Sequence, residues 1–141
     1  MGSTGAGDAE RLVAGRERIY LDRFWNEFAG NPAKIDEATR RHYAKLYAEP
    51  GAMRAAFAQF NTIATRDVAD NVAFSTNKLP MPVLAIGGEK SFGANMAIVM
   101  SNAATNVQGA VVPDAGHWLM EESPTTTIDL IVRFLSDSRS H

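Results

Sequence analysis

The stretch Val111–Pro124, "VVPDAGHWLMEESP", decides how the rest of the chain is read. Two β-branched residues close an apolar run, Pro113-Asp114 breaks it, and Gly116-His117-Trp118 follows. Such a run reads as a buried strand of the parallel kind. A histidine just past its carboxyl end stands at the edge where open α/β sheets place their sites. From the residues alone His117 has two readings. It is either a turn histidine after a strand or a proton-transfer group, the side chain suited to that work near neutral pH. Gly116 is expected to let the backbone bend sharply here. Trp118 and Leu119 are expected to anchor the turn.

Upstream, "MPVLAIGG" (81–88) is a second short apolar run stopped by two glycines, and reads as another fully buried parallel strand. "GANMAIVMSNAAT" (93–105) lies between the runs and reads as a helix, with Met96 and Met100 as core fillers. Downstream, "SPTTTIDLIVRFLSD" (123–137) reads as a last helix with Ser123 as N-cap and Pro124 at the first helical position. Its apolar face is Ile128, Ile131, Val132 and Leu135. Met120 is a further core candidate. Residues 79–141 therefore form a β-α-β-α tail. Two parallel strands leave open edges and an uncovered face, so the tail reads as one side of a larger sheet.

Residues 9–78 are helical by pattern. "AERLVAGRERIYLDRFWNEFAG" (9–30) puts Leu12, Ile19, Phe24, Trp25 and Phe28 on one stripe, read as packing residues, and Gly30-Asn31-Pro32 ends it. "DEATRRHYAKLYAEP" (36–50) begins with acids suited to a helix N-terminus. "GAMRAAFAQFNTIATRDVADNVAFST" (51–76) reads as one long helix with Met53, Phe57, Phe60, Ala64, Val68 and Val72 as its apolar line. The Gly-rich residues 1–8 are expected to be a disordered leader. No repeat or low-complexity segment is present.

The whole chain is 141 residues, 45% hydrophobic and 21% charged, with net charge −2. That balance and the lack of a Lys/Arg run argue against nucleic acid as a partner. No apolar stretch reaches the roughly 18 residues of a membrane span, so no membrane partner is expected. The absence of cysteine excludes a thiolate nucleophile and Cys-based metal sites, and fits a cytoplasmic protein. The three histidines, His42, His117 and His141, are scattered, so neither a metal nor a cofactor is expected. His42, among Arg40, Arg41 and Lys45, reads as a surface histidine. Glu121 and Glu122 read as a solvated acidic start to the last helix.

"PVLAIGGEKSFG" (82–93), then a helix, then "VQGAVVPDAGHWLMEESP" (107–124) and a closing helix, resembles the C-terminal part of an α/β-hydrolase of the epoxide hydrolase and haloalkane dehalogenase branch. "AGRERIYLDRFWNEFAGNP" (14–32) and "YAEPGAMRAAFAQF" (47–60) resemble the helical cap of that branch. The resemblance implies a partial α/β-hydrolase fold, class α/β, made of a cap and the last two strands. It implies that His117 is the general base that activates water against a covalent intermediate, and that Phe60 and Trp118 contact a small, mostly apolar substrate of epoxide, ester or halide type. Phe60-Asn61 stands where epoxide hydrolases of this branch commonly carry a Tyr-Arg pair, so a ring-opening phenol is lacking at that position. Ser91 stands where many relatives carry the triad acid, with Glu89 as the stand-in acid. Neither G-x-S-x-G nor an Asp in the same setting occurs. The expectation is a chain inactive alone, associating through its open sheet edge with a second copy or with a complementing N-terminal half. The alternative is a non-catalytic interaction module using the same surfaces.

Overall fold

A computed structural model describes residues 4–63 and 65–137. Five α-helices come first: α1 (Thr4–Val13), α2 (Glu17–Phe28), α3 (Glu37–Tyr47), α4 (Ala52–Ile63) and α5 (Arg66–Thr76). A short 3-10 turn, Pro32–Lys34, joins α2 to α3. Then come β1 (Leu79–Gly88), α6 (Asn95–Met100), β2 (Ala104–Val112), α7 (Leu119–Glu122) and α8 (Pro124–Asp137). The two strands pair in parallel, in register from Pro82 opposite Asn106 to Gly88 opposite Val112. The register shifts between Leu79 and Pro82, where Pro80 and Pro82 have no N–H to give the ladder.

Several expectations change. Thr4–Val13 is helical where residues 1–8 are expected to be a disordered leader; residues 1–3 lie outside the described residues. Gly15, at φ +74, separates α1 from α2. The expected single helix over 51–76 is two helices. At the break, Thr62 Oγ1 donates to the Gln59 carbonyl at 2.7 Å and Thr65 Oγ1 to the Asn61 carbonyl at 2.9 Å. Such side-chain bonds compete with the helix ladder. Ala64 lies outside the described residues. α6 is shorter than its periodicity suggests, and β2 starts at Ala104, inside the expected helix.

The strands are not fully buried. Only the carboxyl half of β1 is covered, and β2 is buried at its two ends, Ala104 and Val112. Among the described residues each strand has one neighbour, so one edge of each is unpaired. Large apolar residues stay exposed on α5 (Val68, Val72, Phe74), α6 (Ile98, Val99) and α8 (Ile128, Val132, Leu135). Leu12, Ile19 and Met120 are exposed too, against the reading of them as packing residues.

The best-formed core is Leu21, Trp25 and Ile35, packed by Tyr20, Tyr43, Tyr47 and Trp118. Burying Leu21 alone contributes about 1.5–3 kcal/mol. Asp36 caps α3 by accepting from Thr39 N at 2.8 Å. Arg40 is buried rather than solvated. It donates to Asp22 and Asn26 of α2 and to the carbonyls of Pro32 and Ile35, and lies 5.5 Å from the Trp25 ring. α2, the 3-10 turn and α3 are thereby fixed as one unit behind the core.

Candidate functional site

After Val112 the chain turns through Pro113-Asp114, where Asp114 takes a left-handed φ of 54. Aspartate tolerates that region better than most residues. The turn is pinned to the end of β1. Asp114 N donates to Glu89 Oε2 at 2.9 Å, Lys90 N to the Ala115 carbonyl at 2.9 Å, and Lys90 Nζ lies 3.1 Å from Asp114 Oδ1. Glu89 thus braces this turn, and no bond joins it to His117.

The next residues meet the corner after α2. His117 N donates to the Phe28 carbonyl at 2.9 Å. A Cβ on Gly116 would stand 2.2 Å from Gly30 N and 2.5 Å from the Phe28 carbonyl oxygen. Gly116 has no positive φ. Its lack of a side chain permits this close approach of two backbones, not the sharp bend expected of it.

Glu122 holds the junction. It is buried, and its carboxylate accepts four backbone N–H groups. Oε2 takes Gly30 N at 2.8 Å and Asn31 N at 3.0 Å; Oε1 takes Gly116 N at 3.0 Å and Trp118 N at 3.3 Å. The reading of Glu122 as a solvated helix start is therefore wrong. One carboxylate ties the loop on either side of His117 to a corner about ninety residues earlier in the chain. A buried charge is tolerated because hydrogen bonds replace its hydration.

In front of this junction lies a cavity of about 360 Å³ whose wall includes His117, Trp118 and Phe60. The three residues singled out from sequence are thus brought together from β2's far end and from α4. Tyr20, Tyr43, Tyr47 and Phe57 add aromatic wall, and Gln59 and Glu121 add polar groups. His117 is exposed and stands edge-on to Trp118, ring centres 4.8 Å apart, with Phe28 at 6.0 Å. Trp118 Nε1 donates to the Phe24 carbonyl at 3.3 Å, which fixes the indole. No carboxylate among the described residues is bonded to the His117 ring. Neither Ser91 nor Glu89 serves it.

Glu121 is only half-buried, but it is not simply solvated: Tyr43 Oη donates to its Oε1. That bond, with partial burial, raises the Tyr43 phenol above its usual pKa, because ionising it would forfeit the donor and set two negative charges together. Tyr43 and Tyr47 share a helix face at i, i+4 in the sequence; the meeting of Tyr43 with Glu121 depends on the tertiary fold. His42 is exposed on α3, edge-on to Tyr43, and does not line the cavity. His141 lies outside the described residues. Among those described, no group of three His, Asp or Glu is placed to hold a metal ion, and no helix is long and apolar enough to cross a membrane.

No family model matches the chain. It is 29% identical over 133 residues to a soluble epoxide hydrolase of Corynebacterium sp. strain C12, covering 93% of this chain and 46% of that protein. Among solved structures it superposes on the epoxide hydrolase CorEH with TM-score 0.84 at 28% identity, over 94% of this chain and 47% of that one. It also superposes on Cfl2 of Burkholderia cenocepacia with TM-score 0.79 at 29% identity, over 89% and 43%. The chain spans about half the length of the relatives it matches. Its helical segments and two parallel strands have the fold of the corresponding part of an α/β-hydrolase, and the resemblance to the epoxide hydrolase branch holds.

Proposed function

We propose that this chain supplies the histidine, the apolar substrate wall and the helical cap of an α/β-hydrolase acting on a small, mostly apolar epoxide, ester or halide. The supporting observation is the convergence of His117, Trp118 and Phe60 on one cavity at the carboxyl end of the parallel strands. In this reading His117 takes a proton from water as the oxygen attacks a covalent ester. The ester belongs to a nucleophile that this chain's motifs do not provide. The aromatic wall holds the apolar part of the substrate. Phe60 offers surface and no phenol, so epoxide opening would need another donor.

The other surfaces favour a complement. Among the described residues, one edge of each strand is unpaired and large apolar residues of α5, α6 and α8 are bare. We propose that a nucleophile-bearing half sheet, or a second copy of the chain, covers them.

The test is an assay with a phenyl epoxide, a phenyl ester and a haloalkane. The chain alone is expected to give no turnover. Mixed with the part of the Corynebacterium relative that this chain does not match, it is expected to form a complex that hydrolyses at least one substrate and loses that rate with His117→Ala. A stable complex whose rate ignores His117→Ala would refute the catalytic reading. A chain that pairs only with itself and stays inactive would favour the interaction module.

A further inference from the structure

Among the described residues, the cavity wall holds one hydrogen-bonded side-chain pair, and it is acidic. Tyr43 Oη gives its proton to Glu121 Oε1. Among the described residues, no hydrogen bond reaches Glu121 Oε2. The Tyr43 oxygen, with its proton committed, has only lone pairs to offer a ligand. Both groups are therefore acceptors. The wall around them is aromatic: Tyr20, Trp25, Tyr47 and Trp118. No lysine or arginine lines it. Arg40, the cation behind Trp25, is committed to Asp22, Asn26 and two carbonyls.

We infer that the Glu121–Tyr43 pair makes this cavity a selector for apolar ligands carrying a positively charged or hydrogen-bond-donating end, an arylalkyl ammonium above all, and a barrier to ligands carrying a carboxylate. The inference takes the cavity as the ligand site of the proposed function, but does not depend on chemistry at His117. Aromatic faces attract a cation through their quadrupoles, and a carboxylate beside them reinforces the attraction. A ligand carboxylate would instead meet two acceptors and Glu121's charge, with neutral donors such as the Gln59 amide and no lysine or arginine in the wall to offset them. The volume suits a ligand of roughly ten heavy atoms. Glu121 and Tyr43 act here as specificity-determining residues, and Glu121 is separate in function from its neighbour Glu122, whose oxygens are filled by backbone.

The two tryptophans of the chain, Trp25 and Trp118, both line the cavity, so intrinsic fluorescence reports on it directly. Three probes of one shape are titrated into the 141-residue chain: 2-phenylethylammonium, 2-phenylethanol and phenylacetate. The expected affinity order is ammonium, alcohol, carboxylate, with about tenfold or more between the first and last. Glu121→Gln, whose amide oxygen still accepts from Tyr43, is expected to narrow the range to about twofold. Tyr43→Phe is expected to keep the order. Equal binding of the three probes, or a spread of about tenfold that survives Glu121→Gln, overturns this inference alone. Failure of all three to bind removes the ligand site, and the substrate wall of the proposed function with it.

Discussion

Replacing Glu122 by alanine should be among the most damaging single changes in the chain. The carboxylate accepts from Gly30, Asn31, Gly116 and Trp118. A hydrogen bond to a charged group contributes about 1.5–3 kcal/mol net, but the four are not additive. Asn31 N lies at an exposed residue and can return to water, whereas Gly116 is buried. Losing the acceptor also leaves a cavity. A cost of about 4 kcal/mol follows, since the Gly116 and Trp118 amides left without an acceptor cost about 1–3 kcal/mol each. A domain of this length has an unfolding entropy near 0.3 kcal/mol/K, so Tm should fall by about 13 °C. Glu122→Gln turns one acceptor into a donor facing donors, and should cost about half as much. Calorimetry or thermal circular dichroism reads both, with Glu121→Gln as the neighbouring control, expected to shift Tm by no more than about 3 °C. If Glu122→Ala moves Tm no further than that control, the carboxylate does not hold the junction and the reasoning fails.

Gly116→Ala forces a methyl against Gly30 N and the Phe28 carbonyl, so urea unfolding should show a loss of about 3 kcal/mol; a neutral result would mean that the two backbones do not touch. The Tyr43 phenol is raised by its bond to Glu121. The bond's contribution is therefore complete below the unfolded tyrosine value of about 10 and is lost as pH rises through the folded one. Wild type should lose stability above pH 10 more steeply than Tyr43→Phe, as read by Tm against pH, and parallel curves would contradict this. Asp36 is lowered mainly by its bond to Thr39. Its contribution is present above the unfolded value and fades as pH falls through the lowered one. Asp36→Asn, which keeps the cap, should match wild type near pH 7 and flatten the acid limb; an unchanged acid limb would remove the charge from the account.

The parts of this molecule legible in its sequence are those set by local chemistry. The apolar runs before Gly87 and Pro113 gave parallel strands, and Asp36 marked a helix start. The Gly-His-Trp after β2 fell where a cavity opens. Helical periodicity ran on through residues 61–65, because nothing in an apolar pattern records that threonine hydroxyls compete for the carbonyls there. Glu122 was the deeper miss. Its pairing with Glu121 looks like an acidic helix start, and its burial depends on backbone amides from two distant loops converging on one point. Tyr43 and Glu121 were missed for the same reason, being 78 positions apart. Exposure of Val68, Val72 and Ile128 shows the opposite case: the apolar faces are written in the sequence, and among the described residues nothing covers them.

The role proposed for His117 is the second chemical step, and trapping tests it most directly. The complemented chain carrying His117→Gln is mixed with substrate and its intact mass is measured. With an epoxide or haloalkane as substrate, accumulation of one covalent ester per nucleophile, with turnover stopped, is the predicted result, since a carboxylate nucleophile attacks those substrates without a base at this position. Full turnover with no adduct would contradict the account.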